Sequence, residues 1–268
     1  MLFFCRKKER HIGKKGYFCN PFEKDFTVMS WKETLSEKLA ALSAAEFKYI
    51  ETNDIKRASE IDLDCSGIYM EATVIYFEIK SMEYILKESG RRKAAQIYTM
   101  YHAVLKAMAE EYGGFINCFS PNALLIVFPG KDDQISDAVK NALKIASALN
   151  EDFKSSFNIL GLEFSMGLEH GHIMGSKNLS DNGLEQLSWF GTCIYKAKSI
   201  SQQCARPFHV GISSMVFHNL SEDLLTKQRS ILGIKKKVEI WTKVSYQYEN
   251  TKHHLYQTNH KISIDEAQ

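Results

Sequence analysis

Residues 113–128, GGFINCFSPNALLIVF, place the tightest constraint on how this chain can fold. Two apolar runs, 115–119 and 123–128, are separated only by Ser-Pro-Asn, a tip that turns one strand back beside the other. The pair Gly113-Gly114 precedes them and stops a helix predicted over 94–112, whose apolar residues at 97, 101, 104, 105 and 108 share one face. A helix therefore delivers the chain directly into a β-hairpin.

The segments on either side extend that pattern. ATVIYFEI (72–79) is almost continuously apolar and rich in β-formers, so it reads as a buried central strand. After the hairpin, Asp132 or Asp133 is placed to cap an amphipathic helix with Ile135, Val139, Ala142, Ile145 and Leu149 facing inward. Next come a strand over 162–168 that ends in Glu169-His170-Gly171, a polar loop over 175–186, and WFGTCIYKAKSISQQC as a turn and then a helix. A short strand over 208–212, a helix over 213–225 and a last strand over 238–244 follow. Upstream, Ser30-Trp31-Lys32-Glu33 is a capping box that opens a further helix, and the polar, acidic stretch 51–68 reads as a linker. Local antiparallel pairing mixed with helical crossovers indicates an α+β fold, a mixed sheet with helices packed on it, plus the N-terminal helix. The expected organisation is a basic N-terminal segment over 1–29, the helix and linker over 30–68, a main domain over 69–245 and a disordered tail over 246–268.

Bulk composition narrows function only a little. Formal net charge is +2, apolar content 44% and charged content 25%, ordinary for a globular protein. Charge concentrates near the start, where Arg6, Lys7, Lys8, Arg10, Lys14, Lys15 and Lys24 face only Glu9 and Glu23. Such a segment suits contact with a membrane surface or nucleic acid, but reads first as a solvated terminus. MLFFC is too short for a secretory core, no run approaches 18 apolar residues, and the six cysteines include no CxxC pair. Isolated thiols without a transmembrane segment imply a cytoplasmic protein. No GxSxG, P-loop or HExxH occurs.

Four ordered landmarks carry a resemblance. Val74-Ile75-Tyr76-Phe77-Glu78-Ile79 is similar to an opening strand V-x-F-x-D-I, and Gly113-Gly114 before CFSPNALLIVF to a Gly-Gly followed by K-x-x-G-D-x-x-x-x-x-F. Gly167-Leu168-Glu169-His170-Gly171-His172-Ile173 matches G-I-H-x-G-x-V, and residues 189–200 match W-x-G-x-x-V-N-x-A-x-K-L. In that order, residues 71–244 resemble the catalytic domain of the class III nucleotidyl cyclases, the adenylate and guanylate cyclases. The resemblance implies a ferredoxin-like core, a homodimer or a heterodimer with another cyclase-like chain, a nucleotide ligand, and Mg²⁺ or Mn²⁺ in an active member.

It also assigns positions, and the residues found there depart from the pattern. The metal positions fall on Glu78, Ile79 and Asn122. Glutamate in place of aspartate moves the carboxylate by about 1.5 Å, and an amide at Asn122 keeps an oxygen but loses the charge. Pro121-Asn122 is ordinary turn chemistry. The positions of the family's Asn and Arg or Lys, which orient the ribose and stabilise the transition state, are Tyr195 and Ser199. Lys196 and Lys198 flank them but point about 100° away on a helix. The base-selecting positions are Cys118 and Ser188, small and weakly polar, and they spell no purine code. Backbone amides over Lys80-Ser81-Met82-Glu83 could meet a triphosphate, although Glu83 opposes an anion. His170 and His172 share one strand face but lack a third ligand nearby in sequence, and His253-His254 falls in the expected tail. The expectation is a degenerate cyclase-like domain, impaired in catalysis, that dimerises to regulate or to sense a nucleotide; the alternative is a divergent active cyclase, with a pyrimidine nucleoside triphosphate among its candidate substrates.

Overall fold

A computed structural model of the chain describes residues 30–61, 66–120, 122–153, 163–179, 185–204, 207–231 and 234–264. The basic segment 1–29 and Pro121 lie outside the described residues. The chain divides into two units, Met1–Ala45 and Glu46–Gln268. In the first, helix α1 (Trp31–Ala44) begins at the expected capping box: Glu33 N–H donates to Ser30 Oγ at 3.3 Å and Ser30 N–H to Glu33 Oε2 at 2.7 Å. Those bonds hold the Glu33 carboxyl below its usual range.

The second unit is built on one long strand, β2 (Ser66–Ile79), every residue of which is buried or half-buried. Side chains alternate across a strand, so two separate cores grow from it. Ile75, Phe77 and Ile79 face α2 (Met82–Glu111) and α3 (Ile135–Asn150). Ile68, Met70, Ala72, Val74 and Tyr76 face α4 (Thr192–Gln203) through Cys193, Ile194 and Ala197. Cover on both faces is why 72–79 carries no polar alternation.

On one side β2 pairs antiparallel with β4 (Ala123–Pro129), which pairs in turn with β3 (Phe115–Ser120) as the predicted hairpin. On the other side it pairs antiparallel with β5 (Phe164–Leu179), and β5 runs parallel to β7 (Val210–Ser213). Gly167 on β5 sits directly beneath α4: a Cβ there would lie 2.0 Å from the Ala197 carbonyl oxygen. The helix packs backbone to backbone at that point, and only glycine fits.

Several expectations need correcting. The stretch expected as a linker over 51–68 begins on the last residue of β1 (Lys48–Glu51), holds a 3₁₀ turn, Ile55–Glu60, and ends in the start of β2, with which β1 pairs parallel. The helix expected from residue 94 begins at Met82 and is broken at Gly90, where φ is 77° and ψ 172°. The loop over 175–186 is largely consumed by the end of β5 and by β6 (Glu185–Phe190), its antiparallel partner. The helix over 213–225 is two short ones, α5 (Ser214–His218) and α6 (Glu222–Leu225). A two-stranded ribbon follows, β8 (Thr226–Ile231) with β9 (Ile234–Glu239).

The strand expected over 238–244 is interrupted at Trp241, whose indole N–H donates to the Leu224 carbonyl at 2.7 Å. Instead of a disordered tail from 246, the chain makes β10 (Thr242–Tyr248) and β11 (Thr251–Thr258), which extend the sheet beyond β7 in the order β10-β11-β7-β5-β2-β4-β3. The turn between them places Glu249 and Asn250 at φ 47° and 62°, the geometry of a tight hairpin without the glycine that would have announced it. Leu255 and Thr258 are fully buried and anchor this edge.

Candidate functional site

The ends of β2 and of the β3–β4 hairpin converge. Glu78 pairs in register with Ala123, a bulge displaces the hairpin between Cys118 and Ser120, and the Ile79 N–H donates to the Asn122 carbonyl at 2.9 Å. The three positions assigned to metal binding therefore lie together, 44 residues apart in sequence between Glu78 and Asn122.

Their side chains form a closed polar chain. Ser120 Oγ donates to Asn122 Oδ1 at 3.0 Å, and Asn122 Nδ2 donates to Glu78 Oε1 at 3.4 Å. Glu78 Oε2 faces Lys80 Nζ at 3.2 Å. No aligned hydrogen bond reaches that buried oxygen, so charge attraction to Lys80 is what balances it. Behind them Tyr76 is buried and hydrogen-bonded to Ser120; burial and the neighbouring Glu78 charge push its phenol up.

This donor set does not fit a pair of shared divalent cations. Two such ions need carboxylate oxygens from both positions. Here one carboxylate is present, its second oxygen is matched to an ammonium, and the Asn122 amide turns its nitrogen rather than its oxygen toward Glu78.

The other assigned positions divide. Tyr195 and Ser199 lie on α4; Tyr195 is 54% exposed, and among the described residues neither is joined to Glu78 or Asn122 by a hydrogen bond or ion pair. Lys196 does not rescue them, because its charge acts on Glu169, a buried carboxyl raised by desolvation and held by the Ser213 hydroxyl at 2.7 Å. Cys118 and Ser188, far apart in sequence, belong to strands that touch: Asn117 Nδ2 donates to the Leu187 carbonyl at 3.0 Å. The Lys80–Glu83 segment does begin α2, but Lys80 is committed to Glu78 and the Ser81 hydroxyl accepts from the Glu163 N–H at 3.0 Å.

Sequence reasoning missed one constellation. His170 and His172 share a strand face as expected, with His172 stacked on Tyr69 at 5.1 Å. His170, however, is buried and meets two carboxylates, Glu71 and Asp132. Asp132 caps no helix with its side chain; it stands at the 3₁₀ turn Asp132–Gln134 before α3 and points to His170 instead.

No protein-family model matches the chain. A uridylate cyclase of Rhodovulum sp. (strain MB263) is 22% identical over 129 residues, 48% of this chain and 53% of that protein, so the chain spans about half the length of the curated relative it matches. A bacterial light-regulated adenylyl cyclase aligns structurally with a TM-score of 0.57 and 13% identity over 85% of this chain and 63% of the other. The guanylyl cyclase Cya2 does so with a TM-score of 0.58 and 12% identity, over 72% of this chain and 93% of Cya2.

Proposed function

We propose that this chain, which has the fold of the class III nucleotidyl cyclase catalytic domain, is a degenerate member of that architecture, a dimerising module that binds or senses a nucleotide without cyclising it. The observation that carries the reading is the Glu78–Lys80 ion pair beside Asn122. Cyclisation of a nucleoside triphosphate needs divalent cations to lower the pKa of the ribose 3′-hydroxyl and to neutralise the phosphates as that oxygen attacks. An ammonium is a point charge with donors only; it offers no coordination sites to a hydroxyl and a phosphate at once. Tyr195 and Ser199 supply neither the amide nor the cation of the complementary half-site. With both halves altered, a homodimer or a heterodimer with another cyclase-like chain would obtain scaffold from this one rather than chemistry. No described helix is long and apolar enough to cross a membrane; cytoplasmic residence belongs to the proposal.

A second reading has one observation in its favour. The curated relative is a uridylate cyclase, and the small residues Cys118 and Ser188 sit on strands joined through Asn117 and Leu187. An active enzyme for a pyrimidine nucleoside triphosphate would require a cation, Mn²⁺ before Mg²⁺, to displace Lys80.

Incubating the purified protein with each of the four nucleoside triphosphates, under Mg²⁺ and separately Mn²⁺, with mass-spectrometric detection, separates the two. The expected outcome is no cyclic product, with saturable nucleotide binding by calorimetry. A cyclic product that disappears in Glu78→Ala would establish the enzyme and name its base.

A further inference from the structure

We propose that Glu71, Asp132 and His170 form a binding site for one transition-metal dication of the zinc class, separate from the Glu78 cluster. Glu71 and Glu78 lie seven residues apart on one extended strand, which separates the two clusters by about 23 Å. The proposal is therefore independent of the cyclase reading.

The geometry comes first. His170 Nε2 lies 3.1 Å from Glu71 Oε1 and 3.4 Å from Asp132 Oδ1, and all three atoms fall within 4.8 Å of one another. Zinc bonds to nitrogen and oxygen of about 2.0–2.2 Å, at tetrahedral angles, set neighbouring ligand atoms about 3.3–3.6 Å apart. The two His170 pairs stand near those separations, and the Glu71 and Asp132 oxygens, within 4.8 Å of each other, need close by at most about 1.5 Å around an ion, a shift the exposed Asp132 side chain can supply. Among the described residues this is the one group of three such side chains whose ligand atoms converge so closely.

The imidazole is oriented from behind. Its side chain is 3% exposed, and Nδ1 lies 3.0 Å from Thr73 Oγ1. An Nδ1–H donated to that hydroxyl leaves the Nε2 lone pair facing the carboxylates, the arrangement that supporting hydrogen bonds impose on metal-bound histidines. The backbone that carries the acids is pinned as well. Glu71 is on β2, two residues before Thr73, which pairs with His170, and the Gly130 N–H donates to the Glu71 carbonyl at 3.0 Å, which pins the turn that carries Asp132. The Lys131 N–H donates to Gln134 Oε1 at 3.2 Å and stiffens that turn.

Charge and access complete the argument. Two carboxylates and a neutral imidazole carry two negative charges, which a dication cancels; the rival state, an imidazolium between two acids, leaves one uncancelled. One imidazole with two carboxylates suits zinc better than magnesium, which prefers oxygen alone. The Asp132 side chain is 70% exposed, so the site opens to solvent on its side and leaves room for a water as fourth ligand. The ion would clasp β2, β5 and the entry to α3.

The full chain, stripped with a chelator, is titrated with ZnCl₂ by calorimetry and followed by thermal melting. One zinc per chain and a raised Tm are expected. Asp132→Asn changes an exposed side chain and keeps the fold, and it should weaken zinc at least about tenfold and remove the Tm rise; Glu71→Gln should do the same. Absence of saturable binding overturns the proposal, as does binding that survives in both variants, which would place the ion elsewhere, for instance at His253-His254. An apo protein whose stability tracks His170 protonation and ignores zinc assigns the cluster to the imidazolium and overturns it equally.

Discussion

At the scale of single residues, Glu78 and Lys80 decide how the hairpin tip is read. Both side chains are more buried than exposed, at 17% and 26% exposure, so Lys80 matters chiefly as the counter-charge that the buried Glu78 Oε2 would otherwise lack. Lys80→Ala should therefore lower the unfolding free energy by about 1–3 kcal/mol in urea titrations. The same change removes the resident cation, and Mn²⁺ binding detected by electron paramagnetic resonance should appear where the parent shows none. The comparison belongs in an Asp132→Asn background, so that the histidine cluster does not contribute. Mn²⁺ binding of equal strength with and without Lys80 would mean that the ammonium does not hold the position. Residue type alone led to the expectation that Glu78, with its longer arm, and the uncharged Asn122 suit two shared cations poorly. It did not show where the lost charge went, because Lys80 acts through a side-chain direction that only the folded strand end defines.

At the scale of elements, α2 offers the clearest departure from propensity. Alanine normally stabilises a helix interior by about 1 kcal/mol over glycine. Gly90 sits at φ 77° and ψ 172°, a region open essentially to glycine alone, although a Cβ there would meet nothing within 4 Å. Gly90→Ala should thus destabilise by about 1–3 kcal/mol through backbone strain, measured as a lower urea midpoint. A gain in stability would mean that the break straightens into continuous helix. The hairpin and the central strand were legible in sequence because their patterns are local. The C-terminal hairpin was not: its turn lacks glycine, and HHLYQTNH places only scattered residues inward, Leu255 and Thr258 among them.

At the scale of the whole molecule, buried ionisable groups set a pH limit. Burial pushes the Cys193 thiol up to about 11 and Cys204 up to about 12, from an ordinary value of 9.0. Both stay neutral in the fold at pH values where an unfolded chain ionises them. Their contribution is complete below about pH 9 and is lost as pH climbs through 11 and 12. The urea midpoint should fall as pH is raised from about 8 to about 10.5, and mass-mapped alkylation at mildly alkaline pH should leave both thiols unmodified until denaturant is added. Rapid native labelling of either would contradict their burial. The overall architecture was readable because four landmarks kept their order along the chain. The histidine cluster was not, since Glu71 and His170 are 99 residues apart and only strand register joins them.

The pairing of Glu78 with a lysine two residues along the same strand end also bears on the proposed sensing role. A tethered counter-ion is present at a fixed, high local concentration, whatever the surrounding solution holds. An effector can shift a conformational equilibrium only through a difference in its affinity for the two states, and magnesium has little purchase on a carboxylate already neutralised from within. If the proposed sensing role holds, the state of the hairpin tip would be insulated from swings in free magnesium by this internal counter-ion.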